Sequence, residues 1–511
     1  MNVGSLTSPT RRLLVAVAAL VLVAAIAVVA MIGPGSGSSP SIGGVASDRP
    51  ATVPVGSGVS LAAEIITPRG RGAHPLVVMP ASWGQPATEY RAVGRALASS
   101  GYQVVAYAQR GFATSTGAVD FAGPATQRDA STVITWALAH TPADRSHIGL
   151  LGISYGAGIS LLAAAHDRRI RAVAALSTWS DLAASFDPQS TPSVLGLRLL
   201  LGAAPGTLRL APEVEHLRQT LADDPAAVGD VIRAMSPARS PLTYVAQLNA
   251  NRPAILLANA YEDSLFGPGQ LVTLFNRLTG PKRLQLAPGD HAGPELGALF
   301  GRPDTTMDDA RAWLDHYLRG RAGRAHGASP IELRDVVTGA VHRFSTWPTS
   351  PATLRPVDLP ATLAAGSDSV ATSGPTQFFT FRPYVPPQIT TRELTPDRAA
   401  LWTGPTTARP SVVAGSVRVR MRIESPSAGA ASVYAYLYDV DERGTGRLMT
   451  WQPVTATGLT PGRPRDLDLA LPPVAWTVAR GHHLLLVVDR ADPRFQSAVP
   501  APAEVVVESA G

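Results

Sequence analysis

The residues best suited to chemistry in this sequence are Gly152-Ile153-Ser154-Tyr155-Gly156. An apolar run, Ile148-Gly149-Leu150-Leu151, leads into them, and a helix-forming run, Ile159-Ser160-Leu161-Leu162-Ala163-Ala164-Ala165-His166, follows. That order predicts a strand, a sharp turn and a helix. The turn places Ser154 at the carboxyl end of the strand. Gly152 and Gly156 carry no Cβ, so strand and helix can approach closely. The helix amino terminus then aims its unpaired N–H groups at whatever Ser154 attacks. A serine held this way suits nucleophilic attack on an acyl carbonyl, provided a base and an orienting acid reach it.

In the α/β-hydrolase arrangement that this turn predicts, the chain order is serine, acid, histidine. The acid should follow a strand beyond the turn. The run Ala254–Ala258 leads into Asn259-Ala260-Tyr261-Glu262-Asp263-Ser264, so Asp263 is the expected acid and Glu262 the alternative. Asp263 also reads as an ordinary helix cap ahead of Gly267-Pro268-Gly269. Of the 11 histidines, His74, His140 and His147 precede Ser154 and His166 lies about three turns along its helix. His291 stands in a loop after the last parallel strand, in Pro288-Gly289-Asp290-His291-Ala292-Gly293, and is the expected base. Asp290 beside it reads as structural. One oxyanion donor is the backbone N–H of Tyr155. The second should come from Pro80-Ala81-Ser82-Trp83-Gly84. The N–H of Ala81 or Ser82, the Ser82 hydroxyl and the Trp83 indole are all open. Arg110 reads as a structural ion-pair former.

The elements that must position these residues are legible as an alternation. Leu61–Ile66, Leu76–Met79, Gln103–Tyr107, Ile170–Leu176, Ala254–Ala258 and Arg283–Leu286 read as strands. Tyr90–Ser99, Gln127–Ala139 and Met307–Leu318 read as helices. Strands with helical crossovers imply a mostly parallel sheet covered on both faces, with ligands outside the strands' carboxyl ends. The hydrolase-type domain is expected over residues 53–323. An insertion over about 186–248, rich in Leu, Ala, Pro and Arg, reads either as a helical lid or as structural filler. Residues 324–376 form a connecting segment. From about Gln377 the period changes to two: Val417–Ile423, Val433–Val440, Leu467–Leu471 and Leu484–Val488 predict an antiparallel β-sandwich over residues 377–511.

The chain has 511 residues, 45% hydrophobic and 16% charged, enough for two or three domains with sizeable cores. The net charge of +6 comes from arginines scattered among Ala, Gly and Pro, with no basic run interleaved with aromatics, so no nucleic-acid partner is expected. With no cysteine there is no disulfide framework, no thiol nucleophile and no cysteine metal site. No cofactor or metal is implied. Residues 1–12 carry Arg11-Arg12, and an apolar run from Leu13 to Ile32 follows, about long enough to span a hydrocarbon core. It reads as a signal anchor with the catalytic domain outside the cytoplasm, or as a cleaved signal peptide. Residues 33–52 begin with Gly33-Pro34-Gly35-Ser36-Gly37-Ser38 and read as a flexible linker.

Gly152-Ile153-Ser154-Tyr155-Gly156-Ala157-Gly158, the upstream Arg110-Gly111-Phe112-Ala113-Thr114-Ser115 and the downstream Pro288-Gly289-Asp290-His291 together resemble the X-prolyl dipeptidyl-peptidase/cocaine-esterase family of serine hydrolases. Gly481-His482-His483-Leu484-Leu485-Leu486 and Asp492-Pro493-Arg494-Phe495 are similar to runs in that family's C-terminal jelly-roll domain. The resemblance spans about Val53 to Val507. It implies Ser154 as nucleophile, Asp263 as orienting acid, His291 as base and the Tyr155 N–H as an oxyanion donor. Family members often supply the second donor from a tyrosine hydroxyl in a Pro-Tyr pair; here Ala81 follows Pro80. The expected substrate is a small-molecule ester or amide, or a peptide with an X-Pro bond, cleaved through an acyl-enzyme. The alternatives are an esterase or acylase without peptidase activity, and a surface binding protein on a degenerate hydrolase scaffold. The sequence leaves the oligomeric state open.

Overall fold

A computed structural model describes residues 44–202, 208–322, 329–349, 354–357, 360–364, 370–377, 383–395, 398–499 and 504–509. Ten strands form one sheet: β1 (Val45–Gly56), β2 (Val59–Pro68), β3 (His74–Pro80), β4 (Gln103–Tyr107), β5 (Ala143–Ile153), β6 (Ile170–Leu176), β7 (Ala254–Ala260), β8 (Lys282–Ala287), β9 (Ile331–Arg334) and β10 (Val341–Phe344). Their spatial order is β1-β2-β4-β3-β5-β6-β7-β8-β9-β10. Pairing is parallel from β4 to β9 and antiparallel at both edges. The strands alternate their buried residues between two cores. In β3, Leu76 and Val78 join the core under α2 (Pro124–His140) and α3 (Tyr155–His166). Val77 and Met79 face α1 (Arg91–Ser99) and the long helix Thr305–Arg319 on the other side. Two buried faces explain why these strands read as continuous apolar runs.

Two boundaries differ from the sequence expectation. Residues 45–52, read as part of a linker, belong to β1. Its side chains are mostly exposed, so hydrophobicity gives no signal. What holds it is a backbone ladder to β2, closed by Ser57 and Gly58, both with positive φ (51° and 72°), the conformation a two-residue hairpin turn needs. Residues 324–376, read as a connecting segment, supply β9 and β10 to the hydrolase sheet and β11 (Arg355–Val357) and β12 (Ala361–Ala364) to the second domain. The sheet therefore continues past the strand that precedes His291. Between β6 and β7 lies the insertion, whose described residues include the α-helices α4 (Leu182–Phe186), α5 (Val194–Leu201), α6 (Pro212–Asp223), α7 (Val228–Met235) and α8 (Val245–Asn251). Leu197, Leu217, Val228 and Ile232 pack into the same core as the Ser154 helix, so the insertion is a cap built into the domain.

The second domain is a β-sandwich. A six-stranded sheet contains Gly429–Val440, Thr445–Leu459 and His483–Asp489; a four-stranded sheet contains Arg418–Glu424, Arg465–Ala470 and Glu504–Ser509. Along Arg418–Glu424, Val419, Met421 and Ile423 face the core while Arg418 and Arg422 pair with Asp468 and Asp466 of the neighbouring strand at 2.8 and 2.7 Å. The sandwich is tied to the first domain by backbone bonds from Leu195 to Arg494, Gln496 to Pro192 and Val336 to Ala475 (2.9–3.0 Å). No helix among the described residues is long and apolar enough to cross a membrane; the Leu13–Ile32 run, with all of residues 1–43, lies outside the described residues.

Candidate active site

Ser154 sits between β5 and α3 with φ 56° and ψ −121°, a conformation side-chain-bearing residues rarely adopt. The turn closes so tightly that a Cβ on Gly156 would lie 1.9 Å from the Pro80 carbonyl oxygen, and one on Gly152 would lie 2.4 Å from the Gly156 carbonyl carbon. Only glycine fits either place. The Ser154 backbone is fixed by its neighbour β6: its N–H donates to the Leu176 oxygen at 2.8 Å, and the Thr178 hydroxyl donates to its carbonyl at 3.1 Å.

The structure brings Ser154, His291 and Asp263 into one hydrogen-bonded line. His291 Nε2 lies 2.8 Å from Ser154 Oγ, and Nδ1 lies 2.9 and 3.1 Å from the two Asp263 oxygens. All three are buried, Ser154 7% and His291 2% exposed. Asp263 also accepts the N–H groups of Leu265 and Phe266 at 3.0 and 2.8 Å, so the loop after β7 aims its carboxylate. The Phe266 ring lies edge-on to the imidazole at 5.2 Å. Burial disfavours the imidazolium, but the facing Asp263 carboxylate, with Asp290 and Glu295 behind it, outweighs that and raises the His291 pKa above its ordinary value. This arrangement can take the Ser154 proton as the hydroxyl attacks and hold the resulting imidazolium.

Asp290 acts as a clasp. Its carboxylate accepts the N–H groups of Ser264 (2.8 Å), His291 (2.7 Å) and Gln377, joining the acid loop, the base loop and the segment leading to the sandwich. Glu262, the alternative acid, turns away from His291 and accepts the Trp451 indole N–H of the sandwich at 3.0 Å. Burial pushes its carboxyl up to about 7, against the pull of Arg494 and the Trp451 bond. Glu262 and Trp451 line a cavity of about 410 Å³ between cap, hydrolase domain and sandwich, with Asp263 at its wall. Arg110 pairs with Asp129 through two bonds of 2.7 Å.

The oxyanion side comes out differently from the sequence reading. The Tyr155 N–H belongs to the first turn of α3, where no intrahelical acceptor exists. The proposed second donors are committed elsewhere. The Ala81 N–H continues the sheet and donates to the Tyr107 oxygen at 2.9 Å. The Ser82 N–H donates to Glu89 Oε2 at 2.8 Å, and the Ser82 hydroxyl to the Ile153 oxygen at 3.1 Å. The Trp83 indole donates to the Leu200 oxygen of the cap at 3.0 Å, and its ring packs edge-on against Tyr155, Phe112 and Phe121. Sequence reasoning missed Glu89, which is buried and two residues into a short helical turn, with burial raising its carboxyl to about 7. It also missed Ser177, Thr178 and Glu295. The polar run Ser177-Thr178 after an apolar strand was the available signal.

A nucleophile-turn serine, an imidazole and a carboxylate at the carboxyl ends of a mostly parallel sheet define the serine hydrolases of the α/β-hydrolase fold. The model of the X-Pro dipeptidyl-peptidase (S15 family) matches residues 57–293, and that of the X-Pro dipeptidyl-peptidase C-terminal non-catalytic domain matches residues 326–505. The chain belongs to this X-prolyl dipeptidyl-peptidase/cocaine-esterase family and is a serine hydrolase. Among solved structures it is similar to an aminopeptidase from the marine sediment archaeon Thaumarchaeota archaeon (15% identity, 92% of this chain and 95% of that one, TM-score 0.66). It is similar to a CocE/NonD family hydrolase from Staphylococcus aureus (13%, 93% and 97%, 0.66). It is also similar to an α-amino acid ester hydrolase (16%, 93% and 99%, 0.63). At these identities the likeness is one of fold, and it spans both domains. A sequence search of curated proteins finds no match.

Proposed function

We propose that this hydrolase cleaves an ester or amide bond through an acyl-enzyme on Ser154, with His291 as the base and Asp263 as its orienting acid. The observation that carries the proposal is the 2.8 Å contact between His291 Nε2 and Ser154 Oγ, backed by Asp263 at 2.9 Å on Nδ1. The imidazole accepts the hydroxyl proton as Oγ attacks the carbonyl, then gives it to the leaving alcohol or amine. Water deprotonated by the same imidazole releases the acid. The Tyr155 N–H stabilises the oxyanion. The family's description makes an amide that carries an amino-terminal X-Pro dipeptide, cut after the proline, the amide substrate to test first. X-Pro-anilides against short acyl esters separate a peptidase from an esterase. The decisive experiment is Ser154→Ala: fluorophosphonate labelling and turnover should both vanish while the fold persists. A folded wild-type chain that neither labels nor turns over any substrate would overturn the reading.

The location is also a proposal. Arg11-Arg12 before the Leu13–Ile32 run supports a catalytic domain outside the cytoplasm, anchored or released. Protease digestion of intact cells expressing the full chain should cleave it; protection until lysis would refute this.

A further inference from the structure

The sandwich run Asp492-Pro493-Arg494-Phe495 has no part in the chemistry proposed above. Its residues dictate a tight turn. Asp stands at the first position and Pro at the second, where its fixed φ suits the bend. The Asp492 carbonyl accepts the Phe495 N–H at 3.1 Å, and its carboxylate accepts the Arg494 N–H at 2.9 Å. Arg494 is buried, 5% exposed. A guanidinium held out of water needs acceptors for its donors. Arg494 finds them in residues 373–377, the strap that leads back to the active site. Its Nε donates to the Gly374 oxygen at 3.1 Å, and one terminal nitrogen donates to the Ser373 and Gly374 oxygens at 3.1 and 2.9 Å. Asp492 grips the same strap, accepting the Ser373 N–H at 2.8 Å and the Ser373 hydroxyl at 3.0 Å.

Three residues after Gly374, the Gln377 N–H donates to Asp290 Oδ2, while Asp290 Oδ1 accepts the N–H groups of His291 and Ser264. A second route runs to the acid loop. The Arg494 guanidinium lies over the Trp451 ring, 5.5 Å from its centroid. The Trp451 indole in turn donates at 3.0 Å to Glu262, the residue before Asp263. We propose that Arg494 is a positioning residue for the Asp263–His291 pair: it holds the base loop through residues 373–377 and Asp290, and the acid loop through Trp451 and Glu262. The inference rests on the function proposed above. A histidine activates a serine only while one ring nitrogen faces the acid and the other the hydroxyl, so small displacements of either loop cost rate. The sandwich thus sets the spacing of two loops that belong to the other domain. Arginine suits the place because its planar fork holds two carbonyls while its face covers an aromatic ring; lysine cannot do both.

The test uses the full chain and a fluorophosphonate probe, whose labelling rate reads the nucleophilicity of Ser154 with no substrate to choose. The proton resonance of His291 Nδ1, far downfield when bound to a carboxylate, reads the acid–base contact itself. Arg494→Met should lower the labelling rate constant about tenfold and shift or broaden that resonance. Arg494→Lys keeps the charge without the fork and should lower the rate about fivefold; it carries the test if the Met variant does not fold. Met421→Ala is the control. It truncates a fully buried side chain in the four-stranded sheet of the sandwich, off both routes. It should lower the melting temperature while the labelling rate stays within about twofold and the resonance stays in place. A folded Arg494 variant that labels within about twofold of wild type, or a loss in Met421→Ala as deep as in Arg494→Met, would overturn the inference. Ser154→Ala, treated alongside, separates the two questions. If wild type does not label, or Ser154→Ala labels equally, the proposed function fails; if labelling needs Ser154 and the Arg494 variants match wild type, only this inference fails.

Discussion

The acid–base side and the oxyanion side of this site are built on opposite accounting of hydrogen bonds. On the acid–base side, backbone donors are spent on the proposed catalytic groups. Leu265 and Phe266 aim Asp263, and the His291 N–H ties its loop to Asp290. On the oxyanion side, the donors sequence reasoning offers are spent on the scaffold: Ala81 on β4, Ser82 on Glu89 and Ile153, and the Trp83 indole on the cap. A donor already paired in a buried site is expensive to free. Proximity to the nucleophile therefore does not make a group part of the oxyanion hole; its existing partner decides.

The largest effect expected from this contrast is at Asp263. In Asp263→Asn the amide oxygen can still accept from Leu265 and Phe266, so the loop should keep its shape. The amide NH₂ then faces Nδ1 and favours the tautomer with Nε2 protonated, which cannot accept from Ser154. The rate constant kcat should fall on the order of 10³- to 10⁴-fold with the melting temperature nearly unchanged. A variant within tenfold of wild type would show that the aimed carboxylate is not what activates His291.

Ser82→Ala tests the other side. If the Ser82 hydroxyl were an oxyanion donor, its loss would cost roughly 10²–10³ in kcat. Because it donates to the Ile153 carbonyl, the expected outcome is a kcat within about threefold of wild type and a stability loss of about 1 kcal/mol. Denaturant unfolding and steady-state rates on one preparation distinguish the two. A large kcat loss at unchanged stability would reverse the assignment.

The contrast also explains what the sequence made legible. The Ser154 turn, Asp263 and His291 were readable because strand-end position and chain order constrain them, and the glycines beside Ser154 have no substitute. The sandwich was readable from strict alternation such as Val419, Met421 and Ile423. The commitments of Ala81, Ser82 and Trp83 were not, because their partners Tyr107, Glu89 and Leu200 are fixed by tertiary packing. Strand β1 escaped for a related reason: its pairing is carried by backbone, and its exposed side chains carry no period a linker would lack. Glu89 and Glu295 were invisible because nothing local marks a glutamate for burial.

Buried Glu89 gives the smallest predicted effect and the one most specific to the oxyanion side. Its carboxyl titrates at about 7 in the folded chain against an ordinary 4.5, because burial disfavours the charge more than the Ser82 N–H favours it. The folded state thus holds the proton where the unfolded chain has lost it. The stabilisation is complete below about 4.5 and is lost as pH rises through about 7. Glu89→Gln keeps an acceptor for the Ser82 N–H and has no charge to bury. It should therefore gain stability over wild type between pH 5 and pH 8, by on the order of 1 kcal/mol. Its kcat at pH 7 should stay close to wild type, since Ser82 remains committed to the scaffold. Unfolding curves for both proteins at pH 5 and pH 8 check the sign. A difference that shrinks as pH rises would mean that the Glu89 carboxylate is stabilised where it sits, and that the Ser82 bond outweighs its burial.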